Sequence, residues 1–127
     1  MNRAPKISET EWEVMKVIWR AAPCSADEVI RQLTGAEPSR HPKTIKTFLG
    51  RLVGKRVLGF HKEGRAYVYR PLVTEEQCVE AASQSFLQRV FGGSLKPMLA
   101  HFVEHKRLSA KEIQELKKLL DEKESGL

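Results

Sequence analysis

At 127 residues with 41% hydrophobic side chains, the chain suits one domain, or one small domain plus an assembly segment, with enough apolar residues for a core. No apolar run approaches the ~20 residues that span a bilayer, and Met1-Asn2-Arg3-Ala4-Pro5-Lys6 lacks the apolar stretch of a signal peptide, so a cytoplasmic protein without stable membrane insertion is expected. The formal net charge of +6 suits a polyanionic partner, and Cys24 and Cys78, far apart and outside any paired motif, read as reduced structural thiols.

Capping boxes punctuate the chain at Ser8…Glu11, Ser25…Glu28, Thr74…Gln77 and Ser109…Glu112. In each, a hydroxyl can accept from the backbone N–H three residues on while the Glu or Gln reaches back, which marks a helix start. The first helix presents Trp12, Met15, Ile18, Trp19 and Ala22 at helical spacing and stops before Pro23. The second runs from Ala26 to about Leu33, with Val29, Ile30 and Leu33 inward, and ends near Gly35. A loop with Pro38 leads to the third, where Pro42 suits the first turn.

The third helix has two unlike sides. At about 100° per residue, Ile45, Phe48, Leu49, Leu52 and Val53 share one face, while Lys43, Lys46, Thr47, Gly50 and Arg51 share the other. Cations, hydroxyls and a residue without a side chain suit close approach to the DNA major groove, where helices read base edges. The charge is also local: between Arg40 and Arg70 stand nine Lys or Arg residues against Glu63 alone. The helix fades near Arg56, after which the period falls to two. Leu58 and Phe60 alternate with Gly59 and His61, and Tyr67 and Tyr69 with Val68 and Arg70, around a turn at Glu63-Gly64. This predicts a β-hairpin ended by Pro71. Three helices followed by a hairpin is the order of a winged helix-turn-helix. Trp12 and Trp19 read as core anchors, and Tyr67 and Tyr69 as hairpin core rather than base-stacking platforms.

The remainder reads as helical, giving a mainly α chain with one small hairpin. Val79, Ala82, Phe86, Leu87, Val90 and Phe91 form one stripe, broken by Gly92-Gly93. Leu95, Met98, Leu99, Phe102 and Val103 form a second, and Ile113, Leu116, Leu119 and Leu120 a third. Three short helices make a poor independent core, and a two-fold partner is the simplest cover. The expected division is a winged-helix domain at 1–72 and a helical dimerisation domain at 73–127. The dimer contacts are expected from Phe86, Val90, Phe91, Leu95, Leu99, Phe102, Ile113, Leu116 and Leu120.

The landmarks resemble the penicillinase-repressor family (the BlaI, MecI and CopY transcriptional regulators). Ile7-Ser8…Glu11-Trp12-Glu13-Val14-Met15…Ile18-Trp19 looks like its opening motif, and Pro42-Lys43-Thr44-Ile45-Lys46-Thr47…Arg51-Leu52 like its recognition helix. Phe86-Leu87…Val90-Phe91-Gly92-Gly93-Ser94 and Leu108-Ser109-Ala110-Lys111-Glu112-Ile113-Gln114-Glu115-Leu116 resemble its dimerisation region. The resemblance implies a homodimeric repressor bound to an inverted-repeat, double-stranded operator and held together by its C-terminal helices. In the antibiotic-responsive branch it further implies cleavage of the repressor once a membrane-embedded sensor metalloprotease detects a β-lactam. The cut falls at an Asn-Phe-type junction, matched here by His101-Phe102, which keeps the Phe and not the Asn. Copper sensing through paired Cys-x-Cys motifs is not expected, because the tail from Ile113 to Leu127 has no cysteine. His41 stands where relatives carry a capping Ser, and Gly50 where they carry a hydroxyl residue.

Lys43, Thr44, Lys46, Thr47 and Arg51 are therefore the expected DNA contacts. Lys43 and Thr44 lie at the helix N-terminus, where base contacts concentrate, Lys46 can donate to guanine, and Arg51 reaches phosphate. Lys62 and Arg65 flank the wing turn and are expected on phosphate beside the groove. His101 and His105, one turn apart near Glu104, and the two cysteines leave a metal- or redox-responsive repressor of the same fold as an alternative; a winged-helix protein–protein adaptor is another. No phosphate loop, nucleophile with base, or other catalytic constellation is present, so no enzyme, cofactor or resident metal is expected.

Overall fold

A computed structural model describes residues 5–38 and 40–126. Met1–Ala4, which open the stretch read as lacking a signal peptide, and Leu127, which closes the cysteine-free tail, lie outside the described residues. The elements run α1 (Glu9–Ala21), β1 (Cys24–Ser25), α2 (Ala26–Ala36), α3 (Pro42–Gly54), β2 (Leu58–Glu63), β3 (Ala66–Pro71), α4 (Glu75–Phe91), α5 (Leu95–Glu104) and α6 (Ala110–Glu124). The sheet is antiparallel with order β1-β3-β2.

Hydroxyl caps open the helices as the spacing predicts. Ser8 and Ser109 form reciprocal capping boxes with Glu11 and Glu112. Thr74 N–H donates to Gln77 Oε1 at 2.9 Å and Gln77 N–H to Thr74 Oγ1 at 3.1 Å. Ser25 makes only half of a box: it accepts from Glu28 N–H, whereas the Glu28 carboxylate engages Arg31 and Gln32. The second helix ends near Gly35 as expected, at Ala36.

Three helices and the hairpin close around one core. Val14, Met15, Val17 and Ile18 of α1, Val29 and Leu33 of α2, and Ile45, Leu49 and Leu52 of α3 are buried together with Val57 and Leu58. On α1 the buried face is centred differently from the expected stripe. Val14 and Val17 are inside, Ala22 is exposed, and Trp12 is half-buried outside the packed cluster, its ring 5.7 Å from that of Trp19. Trp19 packs on the core and donates its indole N–H to the Val73 carbonyl at 3.0 Å.

The third helix ends two residues before the expected Arg56, because the chain turns over there. Lys55 is the C-cap, and Arg56 adopts the left-handed conformation (φ 63°) usually left to glycine. Arg56 N–H donates to Val53 O and Val57 N–H to Leu52 O, both at 3.0 Å, which places the buried Val57 under the helix end.

The hairpin turn is one residue later than predicted. Glu63 still pairs with Ala66, so the loop is Gly64-Arg65, with Gly64 at φ 62°. The two-residue β1 was invisible to periodicity; it pairs Cys24 with Tyr69 and Ser25 with Val68 and ties the hairpin stem to the start of α2.

The compact units divide at Ser83/Gln84, inside α4, later than the expected boundary at 72. The first turns of α4 belong to the winged-helix unit: Cys78 is buried there and Glu75 pairs with Lys16 of α1. In the second unit no described residue is buried.

Candidate nucleic-acid interface

The amphipathic split of α3 appears in the fold. Ile45, Leu49 and Leu52 are buried and Phe48 and Val53 pack against the core, while Lys43, Thr44, Lys46, Thr47, Gly50 and Arg51 are all exposed. Thr47 donates its hydroxyl to the Lys43 carbonyl at 3.0 Å, which fixes its rotamer and leaves the oxygen able to accept. The Arg51 guanidinium lies over the Phe48 ring, 5.2 Å from its centroid, so its long stem is pre-placed. A side chain at Gly50 would meet nothing within 4 Å, so the gap in this face is open space.

His41 caps α3 with its side chain. Its Nδ1 accepts from Lys43 N–H at 3.2 Å, so the imidazole does the work of the absent serine hydroxyl.

Not all of the local cations are available to a ligand. Arg40 pairs with Glu13 and Glu37, and Lys55 Nζ sits 2.6 Å from Glu11 Oε1. Sequence spacing could not reveal either tie to α1, because the partners are far apart along the chain. Burial pushes the Glu11 carboxyl up, but the hydrogen bond and charge of Lys55 and the Ser8 hydrogen bonds outweigh it and hold the pKa below the ordinary value.

On the wing, Lys62 and Arg65 are exposed, and Lys62 Nζ stands 5.6 Å from the Tyr67 ring centroid. Tyr69 packs on the core as expected, but Tyr67 and Phe60 do not: each is 46% exposed, and their rings meet edge-to-face at 5.3 Å. Phe60 lies opposite Tyr69 in the sheet register, and Tyr67 lies opposite Lys62, nearer the turn.

In the second unit His101 is exposed and Phe102 half-buried near the end of α5. The His101 and His105 rings are 4.1 Å apart, yet no group of three or more metal-capable side chains gathers among the described residues. Cys24 and Cys78 are buried free thiols, and burial pushes both pKa values up, in Cys24 with help from Glu28. That is the environment of an inert thiol rather than a reactive one. No helix among the described residues is long and apolar enough to cross a membrane.

A three-helix core carrying an antiparallel hairpin, with an exposed cationic helix beside it, defines a winged helix-turn-helix protein. The family model described as penicillinase repressor matches residues 7–122, and the chain belongs to that family. It is 44% identical to the penicillinase repressor of Bacillus licheniformis over 122 residues, covering 96% of this chain and 94% of that one. It is 34% identical to the methicillin resistance regulatory protein MecI of Staphylococcus aureus strain N315, covering 96% and 98%. Among solved structures it is similar to the DNA-binding domain of the repressor BlaI (TM-score 0.54, 45% identity, 61% of this chain and 93% of that one). It is also similar to the monomeric form of Bacillus licheniformis BlaI in complex with the blaP half-operator (TM-score 0.51, 44% identity, the same coverage).

Proposed function

We propose that this repressor works as a cytoplasmic homodimer on an inverted-repeat operator, each copy setting α3 into a major groove and its wing against the flanking backbone. The observation that carries this reading is the sorting of α3, with its apolar side in the core and Lys43, Thr44, Lys46, Thr47 and Arg51 outward. The BlaI relative solved on a half-operator supports DNA as the ligand.

Self-association is supported by the second unit. Phe86, Val90, Leu95 and Leu120 are exposed, and Phe91, Leu99, Phe102, Ile113 and Leu116 are only half-buried. Covering a half-exposed Leu or Phe gains about 1 kcal/mol, so a shared face of this kind can offset the cost of association.

Relief of repression follows from cleavage at His101-Phe102 by a membrane-embedded sensor metalloprotease that responds to a β-lactam. His105 N–H donates to the His101 carbonyl and Arg107 N–H to the Phe102 carbonyl, so the bond sits inside a closed helical turn that must open before a protease can bind it extended. With only half-buried neighbours, this turn opens more easily than one in the first unit. Intact-mass measurement on inducer-treated cells should reveal fragments cut at this bond; full-length protein alone would overturn the cleavage step.

DNA reading is tested by fluorescence anisotropy on a duplex from the chain's own upstream region against a scrambled duplex. Lys46→Ala should lose about 1–3 kcal/mol on the first and far less on the second, and Arg51→Ala should weaken both and flatten the salt slope by about one. Unmodified protein that binds neither duplex at low salt would overturn the reading.

A further inference from the structure

Two ion pairs hold the ends of α3, and both acids come from α1. At the C-terminal end, Lys55, the C-cap, places Nζ 2.6 Å from Glu11 Oε1 and 2.8 Å from the Lys6 carbonyl. Glu11 is 1% exposed, and the same oxygen accepts from Ser8 N–H at 2.8 Å. At the N-terminal end, Arg40, two residues ahead of Pro42, pairs with Glu13 and also with Glu37 at 3.0 Å. Glu11 lies within the buried stripe of α1, and Glu13, about 200° further round the helix, is exposed, so the two offer their carboxylates in different directions.

We infer that Glu11 and Glu13 are positioning residues for DNA reading, which fix the pose of α3 by holding Lys55 and Arg40. The inference rests on α3 being the reading helix. Apolar packing keeps α3 against the core but is non-directional. A charged hydrogen bond near each end adds direction. Base readout depends on donors meeting acceptors within a few tenths of an ångström, whereas contacts to phosphate carry no sequence information. Loosening the pose therefore costs discrimination between sequences before it costs affinity for DNA in general. The inference also removes Arg40 and Lys55 from the set of phosphate contacts, although sequence counts them with the cationic segment.

Charge gives the test a clear sign. Glu13→Ala raises the formal net charge of +6 by one unit, so electrostatics alone would tighten binding to any duplex. Positioning demands the opposite for the selected sequence. Glu13 is exposed and alanine is the better helix former, so the fold is not at risk. The unmodified full chain is used to enrich a duplex from a randomised pool, and binding to it and to a scrambled duplex is measured for Glu13→Ala, Arg40→Met and the double variant. Each single variant should lose about five- to ten-fold in affinity for the selected duplex, with the scrambled duplex unchanged or slightly tighter for Glu13→Ala. The double variant should be no worse than the poorer single, the signature of one shared interaction. Glu13→Ala that binds the selected duplex as well as or better than the unmodified chain overturns the inference. So do additive losses, or an Arg40→Met that weakens both duplexes and flattens the salt slope. If the unmodified chain enriches no duplex at all, the reading of α3 as the DNA helix fails first and this inference with it.

Discussion

The two units carry similar apolar stripes but treat them differently. In the unit ending at Ser83 the stripes of α1, α2 and α3 meet one another and the hairpin, and side chains such as Met15, Ile18, Leu49 and Leu52 are at most 1% exposed. From Gln84 onward the same kind of pattern leaves Leu119 and Leu120 at 54% and 60%. Helical periodicity therefore states that a face needs cover, and does not state whether the chain supplies it. A hairpin and three mutually crossing helices give the first unit a closed interior; three short helices do not give the second one.

The largest expected effect tests this contrast with one truncation in each region. Leu52→Ala should cost about 2–5 kcal/mol in urea unfolding, the range for a filled core site. Leu120→Ala should move that transition by less than about 0.5 kcal/mol while raising the dimer dissociation constant in sedimentation equilibrium. Equal effects on unfolding would erase the distinction.

A smaller effect comes from acid. The folded pKa of Glu11 is depressed, so the unfolded chain binds more protons as pH falls through the ordinary glutamate range. The stability held by this carboxylate is complete above that range and is lost as pH drops through the folded value. Glu11→Gln should cost about 1–2 kcal/mol near neutrality and flatten the acid limb. Both tryptophans, Trp12 and Trp19, lie in the first unit, so their fluorescence follows that unit alone.

The smallest compares two helix ends of like geometry. Arg56 and Lys106 both sit at positive φ, 63° and 54°, just past α3 and α5. Glycine at either position removes a left-handed penalty of about 1 kcal/mol. Arg56→Gly should raise the unfolding midpoint reported by tryptophan, and Lys106→Gly should leave it in place. A shift of that signal by Lys106→Gly would show that the two units melt together.

Much of the fold was legible because its signals are local. Hydroxyl caps mark the starts of α1, α2, α4 and α6, a 3.6-residue period marks α3 and α5, and a period of two marks the hairpin. What escaped depends on partners or on single dihedrals. Two residues of β1 are too few to show a period. The positive φ of Gly64 suits either central place of a tight turn, so sequence alone sets the turn one residue early. The exposed side of α3 was legible because it is the complement of a core stripe. The ties from Glu11 to Lys55 and from Glu13 to Arg40 were not, since they join residues 44 and 27 positions apart and only the folded chain brings them together.

The pairing of Ser25 with Val68 sets the length of the wing. Beyond that rung the arm runs freely to Gly64-Arg65, about 10 Å at the rise of a strand. Because side chains alternate, two more residues in each arm would carry the tip about 7 Å outward with every face preserved, and one more would turn the arm over. The hairpin is thus a ruler graduated in steps of two, with its zero mark fixed where α2 begins.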